Sequence, residues 1–389
     1  MYDFKEDLDE IKNKGLYREM RYLEAAQGSK TVIDGRQIVM MASNSYLGLC
    51  DDIRLKKAAC QAIDDFGVGA GGSRLTTGSY ALHRRLEEEL ARFKGTESCI
   101  VFNSGYAANI GTISGIADKD WTIFCDRLNH ASIIDGIRLS GARLIVYKHC
   151  DMNDLESKIH KYHKGKGLIV TDGVFSMDGD MAPVMDIVKL ARRYNLMTMV
   201  DDAHATGVLG QSGKGTLEYF CLKDEVDINM GTLSKAMASE GGFVAGKRIL
   251  IDFIRHKAKS FIYSTALAPH NIAAALEALN IIENEPLIRK TLKEKSDWLR
   301  SKLIDSGFDI PLGNTPIIPL IVGDSMKAVR FSKLLYDEGI FIPAIRPPTV
   351  PEGTGRLRIS VMALHTYDEL ELALKNIVLI GKKLMLVPQ

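Results

Sequence analysis

Two charged side chains stand where an apolar strand gives out, and chemistry begins with them. In Val200-Asp-Asp-Ala-His204 a run of buried-strand type ends on carboxylates. Burying an isolated carboxylate is costly, so Asp201 must face a cation or a hydrogen-bond donor. In Met230-Gly-Thr-Leu-Ser-Lys235-Ala-Met-Ala-Ser-Glu-Gly-Gly242 a lysine follows one apolar run and precedes another. Most lysines are solvated surface groups; one held in a short loop between buried strands is placed to react. Val101-Phe-Asn-Ser104-Gly105-Tyr106-Ala-Ala-Asn109 reads as strand, turn and helix, and a helix N-terminus offers free N–H groups and a positive dipole end to a phosphate. Asp126-Arg-Leu-Asn-His130 follows another strand, and the planar ring of His130 is suited to stack on an aromatic ligand.

An amine for an imine, a carboxylate for a ring nitrogen, a phosphate cup and a stacking ring are what pyridoxal phosphate asks of its protein. Other motifs compete less well. Gly67-Val-Gly69-Ala-Gly71-Gly72 matches the dinucleotide pattern G-x-G-x-x-G, the main alternative of another class. That fingerprint must follow a strand and open a helix, but Lys56–Phe66 reads as helical and Ser73–Gly78 is no helix start. Gly210-Gln-Ser-Gly213-Lys214-Gly215 is P-loop-like, except that Gly follows the lysine where Ser or Thr would bind magnesium. The six cysteines are scattered, with no Cys-x-x-Cys pair, so neither a disulfide framework nor a metal site is expected.

The positioning elements are equally legible. Between residues 98 and 247 lie seven short apolar runs: Cys99–Phe102, Thr122–Cys125, Arg143–Tyr147, Leu168–Thr171, Met197–Val200, Asp227–Met230 and Gly242–Ala245. Helix-like segments separate several of them, such as Val184–Tyr194 with Ile187, Val188 and Leu190 on one face. This alternation predicts an α/β fold with a mostly parallel sheet covered on both sides, binding its ligand beyond the carboxyl ends of the strands. Farther on, Ile317–Val322, Ile340–Pro343 and Leu357–Val361 read as strands, with helices at 326–338 and 367–383; a helical stretch at 268–303 joins this α+β unit to the rest. The first 25 residues read as a charged amphipathic helix with Leu8, Ile11 and Leu16 on one side. The domain reading is an N-terminal segment 1–45, a large cofactor-binding domain 46–285 and a C-terminal α+β domain 286–389. Of 389 residues, 50 are basic and 49 acidic, which argues against nucleic-acid or membrane-surface partners. With no long apolar stretch and an acidic start, a cytoplasmic enzyme is expected.

Several segments together carry a family resemblance. They are Asn44-Ser-Tyr-Leu-Gly-Leu49, Gly71-Gly-Ser-Arg-Leu-Thr-Thr-Gly78, Phe102-Asn-Ser-Gly-Tyr106, Asp126-Arg-Leu-Asn-His130, Gly173-Val-Phe-Ser-Met-Asp-Gly179, Val200-Asp-Asp-Ala-His204, Thr232-Leu-Ser-Lys235, Tyr263-Ser-Thr265 and Arg356-Leu-Arg-Ile359. In order and spacing the chain resembles, over nearly its whole length, the α-oxoamine synthases. These are fold-type I pyridoxal-phosphate transferases that join an amino acid to an acyl thioester with loss of carbon dioxide. The resemblance implies a large domain with a seven-stranded sheet, a smaller C-terminal domain and a homodimer with a shared active site. It implies that Lys235 carries the cofactor as an imine and removes the Cα proton, that Asp201 pairs with the pyridinium nitrogen, and that His130 stacks on the ring. His204 and Ser176 would contact the ring hydroxyl. Ser104, Gly105, Tyr106 and Thr232 would surround the cofactor and its phosphate, with Thr265 supplied by the second subunit. Asn44 and Arg358 would hold the amino-acid carboxylate, and Arg18 would meet the acyl substrate. In Thr171-Asp-Gly173 an Asp stands where many relatives carry Glu. The loop Arg346-Pro-Pro-Thr-Val-Pro351 resembles members that take L-alanine and a pimeloyl thioester, delivered by CoA or an acyl carrier protein. Members using glycine and acetyl-CoA are the alternative.

Overall fold

All seven apolar runs become strands of one sheet. In the computed structural model, which describes residues 3–13, 16–17 and 19–388, the order across this sheet is Ser98–Phe102, Gly242–Gly246, Ile228–Thr232, Met197–Asp201, Lys166–Asp172, Trp121–Asp126 and Arg143–Tyr147. Neighbours are parallel except for Gly242–Gly246, which runs antiparallel to both strands beside it. Chain length explains the exception. A parallel crossover takes about a dozen residues or more, and only the segment 233–241 joins Ile228–Thr232 to Gly242–Gly246. That tight connection carries Lys235.

Alternate residues of the strands feed separate cores, as two-sided burial requires. Ile100, Phe102, Leu168, Val170 and Val244 pack with Ala108, Ile113, Ile133, Ile137, Ile251 and Ile254 from the helices Gly105–Ile116, Ala131–Ser140 and Arg248–Lys257. On the opposite face, Cys99, Val101, Phe243 and Ala245 meet Leu86 and Leu90 of Ala81–Lys94 and Ile272 of Pro269–Asn284. Ile169 and Val200 meet Ile187, Val188 and Leu190 of Val184–Arg193. Each such fully buried Ile, Leu, Val or Phe contributes about 1.5–3 kcal/mol, so the strand ends that carry the polar residues sit on a rigid base.

The C-terminal region builds a second sheet in the order Ile317–Gly323, Gly355–Ser360, Ala344–Ile345, with the helices Ser325–Asp337 and Tyr367–Lys383. The strand expected at 340–343 is shorter. Ile340–Phe341 pairs in parallel with Arg36–Met40, extending the hairpin Lys30–Ile33/Arg36–Met40 into a third sheet. The helical stretch 268–303 is two helices, Pro269–Asn284 and Pro286–Asp305; Pro286 lacks the N–H that would continue the first. At the N-terminus the helix is only Lys5–Asn13 and buries none of its residues, while Leu16 lies beyond it. The glycine-rich segment 67–72 follows the helix Ile53–Phe66 rather than a strand, so the context a dinucleotide site needs is absent there.

Candidate functional site

At the carboxyl ends of the central strands a cavity of about 200 Å³ gathers Ser104, Gly105, Tyr106, His130, Asp201, His204, Thr232 and Lys235 into one wall, together with Asn109, Ser132, Asp172 and Ser234. Larger cavities lie elsewhere, but none of these residues lines them.

Asp201 ends its strand buried. Its Oδ1 accepts the Ala203 N–H (2.9 Å) and its Oδ2 accepts the Asn109 amide (2.7 Å). The same Asn109 amide donates to Ser132 Oγ at 2.9 Å, while its Oδ1 is buried without a partner. Strand register sets Asp172 directly beside Asp201. Burial, and then the Asp201 charge, push the Asp172 carboxyl well above the usual carboxylate range. Burial likewise pulls the Lys235 amine below the usual lysine range; Asp201 and Asp172 oppose that pull and Arg358 adds to it. Among the described residues the Lys235 Nζ makes no hydrogen bond. A buried amine with a lowered pKa is a nucleophile.

The rings are held by their own networks. His130 caps the helix Ala131–Ser140, with Nδ1 2.8 Å from Ser132 Oγ and 3.3 Å from the Ser132 N–H. Burial lowers its pKa, Asp201 opposing and Lys235 assisting. Tyr106 stands edge-on to His130 with centroids 6.4 Å apart, and its hydroxyl donates to Asp135. His204 Nδ1 lies 2.6 Å from the Tyr46 hydroxyl. Burial, then the charges of Lys235 and Arg358, hold that ring well below its usual pKa, so it sits neutral.

At one end of the cavity Ser104 Oγ accepts the Ala107 N–H (3.0 Å) and caps the helix Gly105–Ile116. Thr232 Oγ1 donates to the Gly241 carbonyl (2.8 Å) and lies 2.8 Å from Ser234 Oγ. A Cβ at Gly105 would come within 3.2 Å of the Met230 methyl and 3.4 Å of Thr232 Oγ1, so the absent side chain keeps the helix terminus open. At the other end, buried Arg358 donates Nε to the Ser176 carbonyl, Nη1 to Ser360 Oγ (2.8 Å) and Nη2 to Asn44 Oδ1 (3.0 Å) and the Tyr46 hydroxyl (3.4 Å). No carboxylate among the described residues pairs with it. A buried guanidinium without an anion is costly, and its planar fork matches a carboxylate.

The remaining expected residues are placed differently. Asn44 and Arg358 lie outside the cavity wall and connect to it through Tyr46 and His204. Ser176 meets Arg358 through its carbonyl. Thr265 is exposed, bridged to Ser73, with its carbonyl accepting the Asn103 amide. Arg18 lies outside the described residues. Sequence reasoning assigned no role to Asp172, Asn109, Ser234 or Tyr46. Asp172 carried the same signal as Asp201, an acid ending an apolar run. The ensemble fits pyridoxal 5′-phosphate: an unpartnered amine, a carboxylate and an orphaned amide oxygen nearby, and an open capped helix terminus.

Comparison with known proteins gives the chain a family. Residues 36–377 match the family model described as aminotransferase class I and II. A putative 8-amino-7-oxononanoate synthase of Acetivibrio thermocellus is 74% identical over 388 residues, covering 100% of both chains. The 8-amino-7-oxononanoate synthase of Lysinibacillus sphaericus is 53% identical over 386 residues, 99% of each. Among solved structures, Sphingomonas wittichii serine palmitoyltransferase superposes with a TM-score of 0.95 at 30% identity, over 99% of this chain and 98% of that one. The 8-amino-7-oxononanoate synthase of Francisella tularensis gives 0.78 at 29% identity, over 89% and 98%. The chain belongs to the class I and II aminotransferase family, as one of its α-oxoamine synthases.

Proposed function

We propose that the protein condenses L-alanine with a pimeloyl thioester, releasing carbon dioxide and the thiol, to give the 8-amino-7-oxononanoate of biotin biosynthesis. Pyridoxal 5′-phosphate is its cofactor. When bound, it supplies an aldehyde that takes up amines and a protonated heterocycle that accepts the electron pair of a broken Cα bond. Lys235 would hold the cofactor covalently, and its amine is placed to take the proton from the amino acid's Cα. Asp201, oriented by Asn109 and Ala203, keeps a proton on the ring nitrogen. His130 packs on the ring face, and neutral His204, with Ser176, meets the ring hydroxyl. Ser104, Gly105, Tyr106 and Thr232 receive the phosphate, with Thr265 contributed by the second subunit of a homodimer.

Arg358 and Asn44 bind the alanine carboxylate and so choose which Cα bond stands against the ring, while Arg18 meets the acyl chain. The large and small domains divide near residue 286, with residues 1–45 as the N-terminal segment. The acyl group arrives on CoA or an acyl carrier protein in the cytoplasm. No helix among the described residues is long and apolar enough to cross a membrane.

The observation that carries this reading is the unpartnered Lys235 amine beside the buried Asp172–Asp201 pair. Purified protein offered alanine or glycine with pimeloyl-CoA or acetyl-CoA tests it. Free thiol should appear fastest with alanine and pimeloyl-CoA; preference for glycine with acetyl-CoA would replace the substrate assignment.

A further inference from the structure

Arg358 is aimed in part by a turn that follows the strand Lys166–Asp172. Residues 175–180 close on themselves: Gly179 N–H donates to the Phe175 carbonyl (2.8 Å), and Phe175 N–H to the Asp180 carbonyl (3.0 Å). From the C-terminal region Arg358 Nε donates to the Ser176 carbonyl, Arg356 pairs with Asp178, and Thr315 Oγ1 donates to the Gly179 carbonyl (2.7 Å). From the large sheet comes His149, just beyond the strand Arg143–Tyr147. Its Nε2 lies 2.8 Å from Asp180 Oδ2 and its Nδ1 2.9 Å from Asp126 Oδ1. Its ring stands edge-on to Phe175, 4.4 Å between centroids at 87°.

The far end of this clasp is firmly seated. Asp126 is buried at the end of its strand and also accepts the Leu128 and Cys150 N–H groups at 2.9 and 2.8 Å. Burial disfavours the His149 charge, but the hydrogen bonds of Asp126 and Asp180 outweigh it and push the imidazole up to about 12. Both ring nitrogens therefore donate. Asp126, His149 and Cys150 lie near enough to share a metal ion, but each ring nitrogen of His149 already faces a carboxylate, so the ring acts as a bridge between Asp126 and Asp180.

We propose that His149 is a positioning residue for amino-acid recognition: by clasping Asp126 to Asp180 it fixes the 175–180 turn, whose Ser176 carbonyl aims the Arg358 fork at the substrate carboxylate. The inference rests on the reading of Arg358 given above. Without the cation between them, Asp126 and Asp180 repel, and the turn loses its side-chain tie to the large sheet while keeping those to the C-terminal region. A misplacement of about 1 Å in a positioning group costs as much as about 100-fold.

The test is binding of alanine, and of alanine methyl ester, to the holoenzyme, followed by the change in the cofactor's visible absorbance without acyl thioester. His149→Ala should weaken alanine binding between about 10- and 100-fold and leave the ester, which has no carboxylate, nearly unchanged. His149→Gln, which keeps a donor, should fall between. Asp180→Asn serves as a second, gentler break of the clasp and should show the same acid-specific loss. Equal weakening of acid and ester in these variants, or unchanged alanine binding by folded His149→Ala protein, overturns the proposal. If the wild type itself binds acid and ester alike, the Arg358 assignment fails first, and the proposal with it.

Discussion

Replacing Arg358 by lysine keeps the charge and removes the fork. In the structure the guanidinium spends Nε on the Ser176 carbonyl and Nη1 on Ser360 Oγ (2.8 Å), and Nη2 reaches Asn44 Oδ1 (3.0 Å). An ammonium on a flexible stem cannot hold those partners and also keep the remaining N–H aimed at a carboxylate. A charge-assisted hydrogen bond contributes about 1.5–3 kcal/mol. Losing one such bond to the amino acid should therefore raise its KM by a factor of about 10 to 150, since about 1.4 kcal/mol is tenfold. The KM for the acyl thioester should stay near the wild-type value, because that substrate's carbonyl end does not use this fork. Steady-state kinetics with each substrate varied in turn reads both numbers. An alanine KM unchanged within about twofold, or an equal rise for both substrates, would refute the reasoning.

Further outcomes follow from the same geometry. Lys235→Ala should abolish turnover while the protein stays folded; near-normal activity would remove the lysine from the chemistry. Asp201→Asn should cut kcat on the order of a thousandfold with cofactor still bound, since two unit charges about 4 Å apart are worth roughly 4 kcal/mol in a partly shielded site. For Asp172 the native carboxyl titrates well above its unfolded value, so the native state keeps a proton that the unfolded chain gives up. That stability is present below about pH 4 and is lost as pH rises through the raised pKa. Asp172→Asn should therefore raise the thermal midpoint of cofactor-free protein more at pH 8 than at pH 4; a gain that shrinks with pH would contradict the assignment. Gly105→Ala, whose methyl crowds Met230 and Thr232, should weaken cofactor binding about tenfold or more by equilibrium titration, leaving the fold intact.

The sheet was legible because its strands are continuous apolar runs, a signal carried within each segment. Which strands neighbour one another is not local. Ile340–Phe341 was read as part of the C-terminal unit, yet it pairs with Arg36–Met40, a choice made by hairpin residues hundreds of positions away. The N-terminal helix shows the converse: Leu8 and Ile11 make a stripe in the sequence, but both are exposed in this chain. At the site, Asp201, Lys235, His130 and Ser104 announce themselves as polar residues where apolar strands stop. The side-by-side register of Asp172 and Asp201 belongs to the sheet, and the anion-free burial of Arg358 to the packing of distant segments. His149 follows an apolar run as His130 does; its two carboxylate partners appear only when Asp126 and Asp180 are brought to it.

The central claim is that one amine, Lys235, holds the cofactor covalently beside Asp201. Borohydride reduction of the holoenzyme, digestion and mass spectrometry of the peptides test it most directly. The account predicts a single phosphopyridoxyl adduct on Lys235, absent from Lys235→Ala protein. An adduct on any other lysine, or none in an enzyme that still turns over, would contradict it.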